Sequence, residues 1–195
     1  MNADADFRWW GSNRLWLLGA AALGAVAFVW PYREALREYQ RTDPSYPIDV
    51  AAGAWAPYEG ARWRVVDAQW REAGPGTPFK TREDAAVVIV RYEVIIDKGL
   101  SAQKFDACKG RLSDSQGREW EANPGALSRY RSELPNTCGS YYERGSFDRI
   151  PAPNGRPFRF EHVFLVPKSQ SLRGLHPQIR MPAPDKPGSY LRFDL

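Results

Sequence analysis

The sequence predicts an all-β protein, an antiparallel β-sandwich preceded by one N-terminal transmembrane helix. Three observations carry that prediction. A charge-free run, LWLLGAAALGAVAFVW, occupies residues 15–30. After it, β-branched and aromatic runs recur every 10 to 25 residues between Gly- and Pro-rich turns. No long amphipathic helical pattern interrupts them, and strands spaced in this way form two packed antiparallel sheets.

The apolar run comes first. Sixteen residues in a helix reach roughly 24 Å, short of a hydrocarbon core near 30 Å. The flanks extend it, because Trp9, Trp10, Trp30 and Tyr32 are residues of the membrane interface and Arg14 and Arg33 can snorkel from either end. A transmembrane helix is therefore expected over 15–32, with a short cytoplasmic N-terminus at 1–14. A cleaved secretory signal is the alternative, with AVA at 25–27 as the cleavage site. Either reading sends the rest of the chain across the membrane. Basic residues flank the run almost evenly, so the positive-inside rule leaves the orientation to other features. YREALREYQR predicts a juxtamembrane helix up to Asp43-Pro44, and RTDPSYPID (41–49) reads as a Pro-punctuated linker, which makes 33–60 a connecting segment.

The globular part is expected over 61–195. ARWRVVDAQW (61–70) is rich in Val and Trp, and AAVVIVRYEVII (85–96) is a β-branched run suited to a central strand. ACKGRLS and REWEA flank DSQG, whose Asp and Gly suit a turn, so they form a hairpin. Residues 122–147 hold NPG, LPN, CGS and ERG and form an irregular insert. RPFRFEHVFLVP (156–167) is a second strong strand with Phe158, Phe160, His162 and Phe164 on one face. HPQIRM (176–181) and SYLRFDL (189–195) close the sheets.

This order of elements resembles the immunoglobulin-like β-sandwich domains of uncharacterised membrane-anchored bacterial envelope proteins. The resemblance rests on Leu112, Asp114, Gly117, Arg118 and Trp120 in the hairpin and on Phe164, Val166 and Pro167 in the late strand, and it spans roughly 60–195. It implies an immunoglobulin-like fold behind an anchor. It carries no catalytic residues across, and the cysteine-bearing insert departs from the pattern.

Composition narrows the chemistry. The 27 basic and 23 acidic residues leave a formal net charge of +4 without a concentrated basic patch, so nucleic-acid binding is not expected. Two cysteines and two histidines are the whole stock of soft ligands, and no CxxC or HExxH spacing occurs. A closed zinc site would have to recruit Cys108, Cys138, His162 and His176 together, so no metal or cofactor is expected. Two lone cysteines 30 positions apart commonly pair in an oxidising compartment, and a Cys108–Cys138 disulfide is the preferred reading, with two unrelated buried thiols as the alternative. His162 stands beside Glu161, but neighbours on a strand point to opposite faces, so Glu161 cannot orient it and a structural histidine is expected. No GxSxG, glycosidase carboxylate pair or phosphate loop appears.

The expectation is a non-catalytic, membrane-anchored extracytoplasmic module that binds another envelope protein, with its contact surface in the insert at Arg129, Tyr130, Arg131, Tyr141, Tyr142 and Arg144. Arg and Tyr on a constrained loop suit contacts. Two alternatives stand beside it: a lipid or small-molecule sensor with an aromatic cavity, and an enzyme whose residues meet only in three dimensions.

Overall fold

The computed structural model describes residues 3–42, 45–73, 77, 79, 84–123, 132, 134–143, 145, 147–182 and 188–195, with helix side chains described for 13–39. The chain divides into two units, Met1–Asp43 and Pro44–Leu195.

The first unit is one helix, α1 (Ala3–Thr42), which runs on where the sequence suggested separate segments. Pro31 lies inside it; a proline is tolerated in a helix where neighbouring groups or local adjustment satisfy the freed carbonyl. The described helix extends to Thr42. Asn13–Tyr39 forms a 27-residue stretch of mean hydropathy 1.7, long and apolar enough to cross a membrane.

The second unit is a β-sandwich. Its strands are β1 (Tyr46–Val50), β2 (Ala56–Tyr58), β3 (Ala61–Glu72), β4 (Ala85–Ile96), β5 (Lys109–Asp114), β6 (Glu119–Glu121), β7 (Ser140–Tyr142), β8 (Arg149–Pro151), β9 (Phe158–Pro167), β10 (Leu175–Arg180) and β11 (Ser189–Phe193). One sheet has the order β1-β11-β10-β5-β6, the other β2-β3-β4-β9, and β7 and β8 form a separate ribbon. β1 pairs with β11 in parallel, while the other described pairings are antiparallel.

The expected connecting segment at 33–60 is corrected by this arrangement, because β1 and β2 both lie in the sheets. β1 is an edge strand, and an edge accommodates Pro47, whose missing N–H would break the ladder of a central strand.

Strand β4 shows why the core sits where it does. Its alternate residues Val88, Val90, Tyr92 and Val94 face inward and pack with Trp63 and Phe160 of the same sheet and with Leu112, Ile179, Leu191 and Phe193 of the other. The opposite face is also apolar at one end, where Val87 and Ile89 are covered by Ala73 and Phe79. This double covering explains the continuous β-branched run. Farther along that outer face Arg91 and Glu93 take over and join ion pairs with β3 and β9.

The free edge of β9 is partly covered. The Glu161 amide donates to the Pro135 carbonyl at 2.8 Å, and the Asn123 amide donates to the Val163 carbonyl at 2.9 Å. Such pairing shields an edge that would otherwise recruit another strand. Residues 122 and 123 also bridge the two sheets, since the Ala122 amide donates to the Gly110 carbonyl of β5 at 3.1 Å.

Candidate functional site

The bridge places a corner of the sandwich where β5 and β9 meet, and three sulfur and nitrogen ligands converge there. Cys108 follows a short 3₁₀ turn (Ala102–Ala107) and donates its amide to the Phe105 carbonyl at 3.1 Å, directly before β5 begins. Cys138 comes from the insert and is fully buried. The two are joined as a disulfide with Cα atoms 6.2 Å apart, inside the range that a disulfide spans. Gly139 lets the insert approach this closely: a Cβ there would lie 2.1 Å from the Ala102 carbonyl oxygen.

His162 enters from β9 on the inward face. Its ring meets Phe160, Tyr92 and Phe164 edge-on, with centroids 5.2, 5.4 and 6.3 Å away. It also presses against β5, where a Cβ on Gly110 would lie 2.0 Å from Nδ1, so only glycine fits. Burial drives the imidazole pKa down to about 4, against a hydrogen bond to the Asn136 backbone that favours the charged form. The ring is thus neutral at pH 7. Nδ1 is buried and has no hydrogen-bond partner among the described residues. One ligand atom each from Cys108, Cys138 and His162 lie within 4.8 Å of one another.

An open cavity of about 220 Å³ adjoins this cluster. Cys108, Gly110 and His162 line it together with Lys109, Arg111, Glu121, Asn136 and Glu161. Arg111 is held across the β5–β6 hairpin by Glu119 at 2.6 Å and Glu121 at 3.0 Å. The hairpin turn is built by Asp114, whose Oδ1 accepts from the Gln116 and Arg118 amides at 2.9 Å each, while Gly117 supplies a φ of +79°.

The structure brings together three of the four residues that a zinc site would have recruited, and separates the fourth. His176 lies near Asp194, Nδ1 to Oδ1 at 3.4 Å. Glu161 is buried on the face opposite His162 and pairs with Arg91 at 3.4 Å. Of the expected contact surface, Tyr141 packs on Phe158 with centroids 6.2 Å apart and Tyr142 is exposed on β7. Arg129, Tyr130, Arg131 and Arg144 lie outside the described residues. Sequence reasoning missed the approach of His162 to the cysteines. The available signal was Gly110, since a glycine inside a strand pattern marks a close approach of other atoms.

No protein-family model matches the chain, and no curated protein matches its sequence. Solved structures do. An uncharacterised β-sandwich protein of Clostridium difficile 630 is 5% identical, with 78% of this chain and 96% of that one covered and a TM-score of 0.43. MPT63, a secreted protein of Mycobacterium tuberculosis, is 15% identical over 77% of this chain and 99% of its own, with a TM-score of 0.43. The yjhA protein of Bacillus subtilis is 8% identical over 74% and 99%, with a TM-score of 0.40.

Proposed function

We propose that this protein is a non-catalytic interaction module, anchored by α1 in the cell membrane, whose immunoglobulin-like sandwich lies outside the cytoplasm and binds another envelope protein. The observation that carries the reading is the state of α1. Leu15, Trp16, Phe28 and Trp30 are each more than 70% exposed on a 27-residue apolar stretch. Such a surface is unfavourable in water and favourable in hydrocarbon, and roughly 40 Å of helix is enough to cross it.

Three further features support the reading. A disulfide suits an oxidising compartment. The strand order supports the immunoglobulin-like assignment: β4 pairs with β9 in one sheet, β5, β10 and β11 share the other, and the chain crosses between sheets after β4 and after β9. The insert ribbon exposes Tyr142 at 60% and, in the loop between β7 and β8, Phe147 at 99%, a pair of aromatic anchors of the kind that centre protein contacts. The large aromatics of the interior pack on one another, Trp63 against Phe105 at 5.9 Å and Tyr92 on Phe160 at 5.1 Å, which favours a solid core over a ligand cavity between the sheets.

The test is in cells. A photo-crosslinking residue in place of Tyr142 or Phe147 should capture a distinct envelope protein from the membrane fraction, and one in place of exposed Lys98 should not. Membrane-bound protein with no capture at either aromatic position would defeat the partner reading. A soluble mature form beginning at Phe28 would defeat the anchor.

A further inference from the structure

We propose that the Cys108–Cys138 disulfide is a redox gate on a metal site: once it is reduced, the two cysteine sulfurs and the His162 imidazole bind one thiophilic d¹⁰ ion, zinc(II) or copper(I). This inference stands apart from the anchoring and partner readings.

The histidine is the starting point. The His162 ring is enclosed, and its Nδ1 is buried with no hydrogen-bond partner among the described residues, a condition that calls for an explanation in a buried polar group. A metal-binding histidine ligates through one ring nitrogen while the other is held by a hydrogen bond, and the Asn136 backbone is near enough to this ring to favour its charged form. Gly110 and the flanking aromatics hold the ring from several sides.

The two sulfurs complete the donor set. A tetrahedral zinc ion, with sulfur at about 2.3 Å and nitrogen at about 2.0 Å, spreads its ligand atoms by roughly 3.5–3.8 Å. The present spread is within 4.8 Å, so the site forms when the sulfur–sulfur bond opens and the sulfurs and ring settle by roughly 1 Å. Two thiolates and an imidazole select soft d¹⁰ ions over magnesium or calcium. Three protein ligands leave a coordination position for water, and the cavity beside Cys108 and His162 provides both room and an entry path.

The gate works by thiol–disulfide exchange with a dithiol reductant. Cys138 is fully buried, but Cys108 is partly exposed and lines the cavity beside Lys109 and Arg111. The incoming thiolate bonds to the Cys108 sulfur, the Cys108–Cys138 bond breaks, and Cys138 leaves as a thiolate. The second thiol of the reductant then closes on its partner sulfur and releases Cys108. Two electrons and two protons pass to the protein in total, and both protons are released when the ion binds the thiolates.

The experiment uses the full chain in detergent. It is reduced with a water-soluble phosphine, freed of reductant under anaerobic conditions, and titrated with zinc(II) against a chromophoric chelator and with copper(I) against bicinchoninate. One equivalent of at least one ion should bind to the reduced chain and none to the oxidised chain, and the ion that wins identifies the class. Cobalt(II) in place of zinc should give thiolate charge-transfer bands and the visible bands of a tetrahedral site. His162→Leu should weaken binding by at least roughly tenfold, and Cys138→Ser should abolish the charge-transfer signal of a two-sulfur site. Circular dichroism reports whether each variant keeps its fold, and the cobalt spectrum of the wild-type chain tests the site without any variant. Equal binding by oxidised and reduced chains, equal affinity in a folded His162→Leu variant, or an octahedral cobalt spectrum would each overturn the proposal.

Discussion

Two buried polar regions share strand β9 and are satisfied in opposite ways. On the outer face, each buried carboxylate meets a guanidinium. Arg64 Nε donates to Glu93 at 2.7 Å, Arg159 approaches the same carboxylate at 3.3 Å, and Arg91 bridges Glu161 and Asp67 at 3.4 Å each. On the inner face, one residue along, His162 lies beside two sulfurs with an Nδ1 that has no hydrogen-bond partner among the described residues. The cross-strand register explains the outer belt, because Glu93 stands opposite Arg159 and Arg91 opposite Glu161. A polar residue that serves only packing is paired by its neighbours across the sheet. The His162 nitrogen, unpartnered among the described residues and beside the disulfide, is where the inner face departs from that pairing.

The contrast can be broken most strongly at the disulfide. A Cys108→Ser, Cys138→Ser double variant removes a tie across 30 positions, and the chain-entropy model puts its contribution at about 3.5 kcal/mol. Pulse proteolysis in urea, run on the full chain without reductant, should show a loss of that size. A loss below about 1 kcal/mol would mean that the insert is held at the corner by other contacts.

Acid comes next. His162 has a folded pKa of about 4 against 6.5 in an unfolded chain, so between those values the unfolded state binds more protons. Stability from this residue is fully present above pH 6.5 and declines as the pH falls toward 4, by about 3 kcal/mol in total. The oxidised chain should show this decline, and His162→Leu should flatten it. An unchanged slope in that variant would move the acid sensitivity to another group.

Gly110→Ala sharpens the same region. A Cβ 2.0 Å from the His162 ring on a paired strand cannot be relieved by a small shift, so a loss of about 2 kcal/mol is expected. His162→Ala made in the same chain should remove most of that penalty, giving a coupling of at least about 1 kcal/mol in the double-mutant cycle. Additive losses would show that the glycine serves the backbone and not the ring.

How far the sequence foretold these regions depends on the range of the contacts. Strands β3, β4, β9, β10 and β11 were legible because period-two and β-branched patterns are local signals. β4 was predicted over 85–96, the limits it has in the structure. β1 was hidden because SYPIDV carries a proline and its pairing partner lies some 140 residues away at β11. The three-residue strands β7 and β8 carry too little pattern to be read. The cysteine–histidine corner draws its ligands from a turn, an insert and a distant strand, so no short spacing could announce it. The sequence argument that Glu161 cannot serve His162 follows from strand geometry alone and agrees with the Arg91 pairing.

The smallest effect is expected on the outer belt, and it tests the other half of the contrast. Glu93 is buried, but two arginines share its carboxylate, and Arg159 is itself 59% exposed. Removing Arg159 leaves Arg64 in place, so the buried charge stays compensated. An exposed partner of this kind contributes little after solvent screening. Arg159→Ala should therefore change stability by no more than about 0.5 kcal/mol in the same urea assay, and added salt should reduce even that. A loss above about 2 kcal/mol would show that Glu93 depends on both cations. The belt would then be as sensitive to a single deletion as the corner, and the division of β9 into a redundant outer face and a specialised inner one would fail.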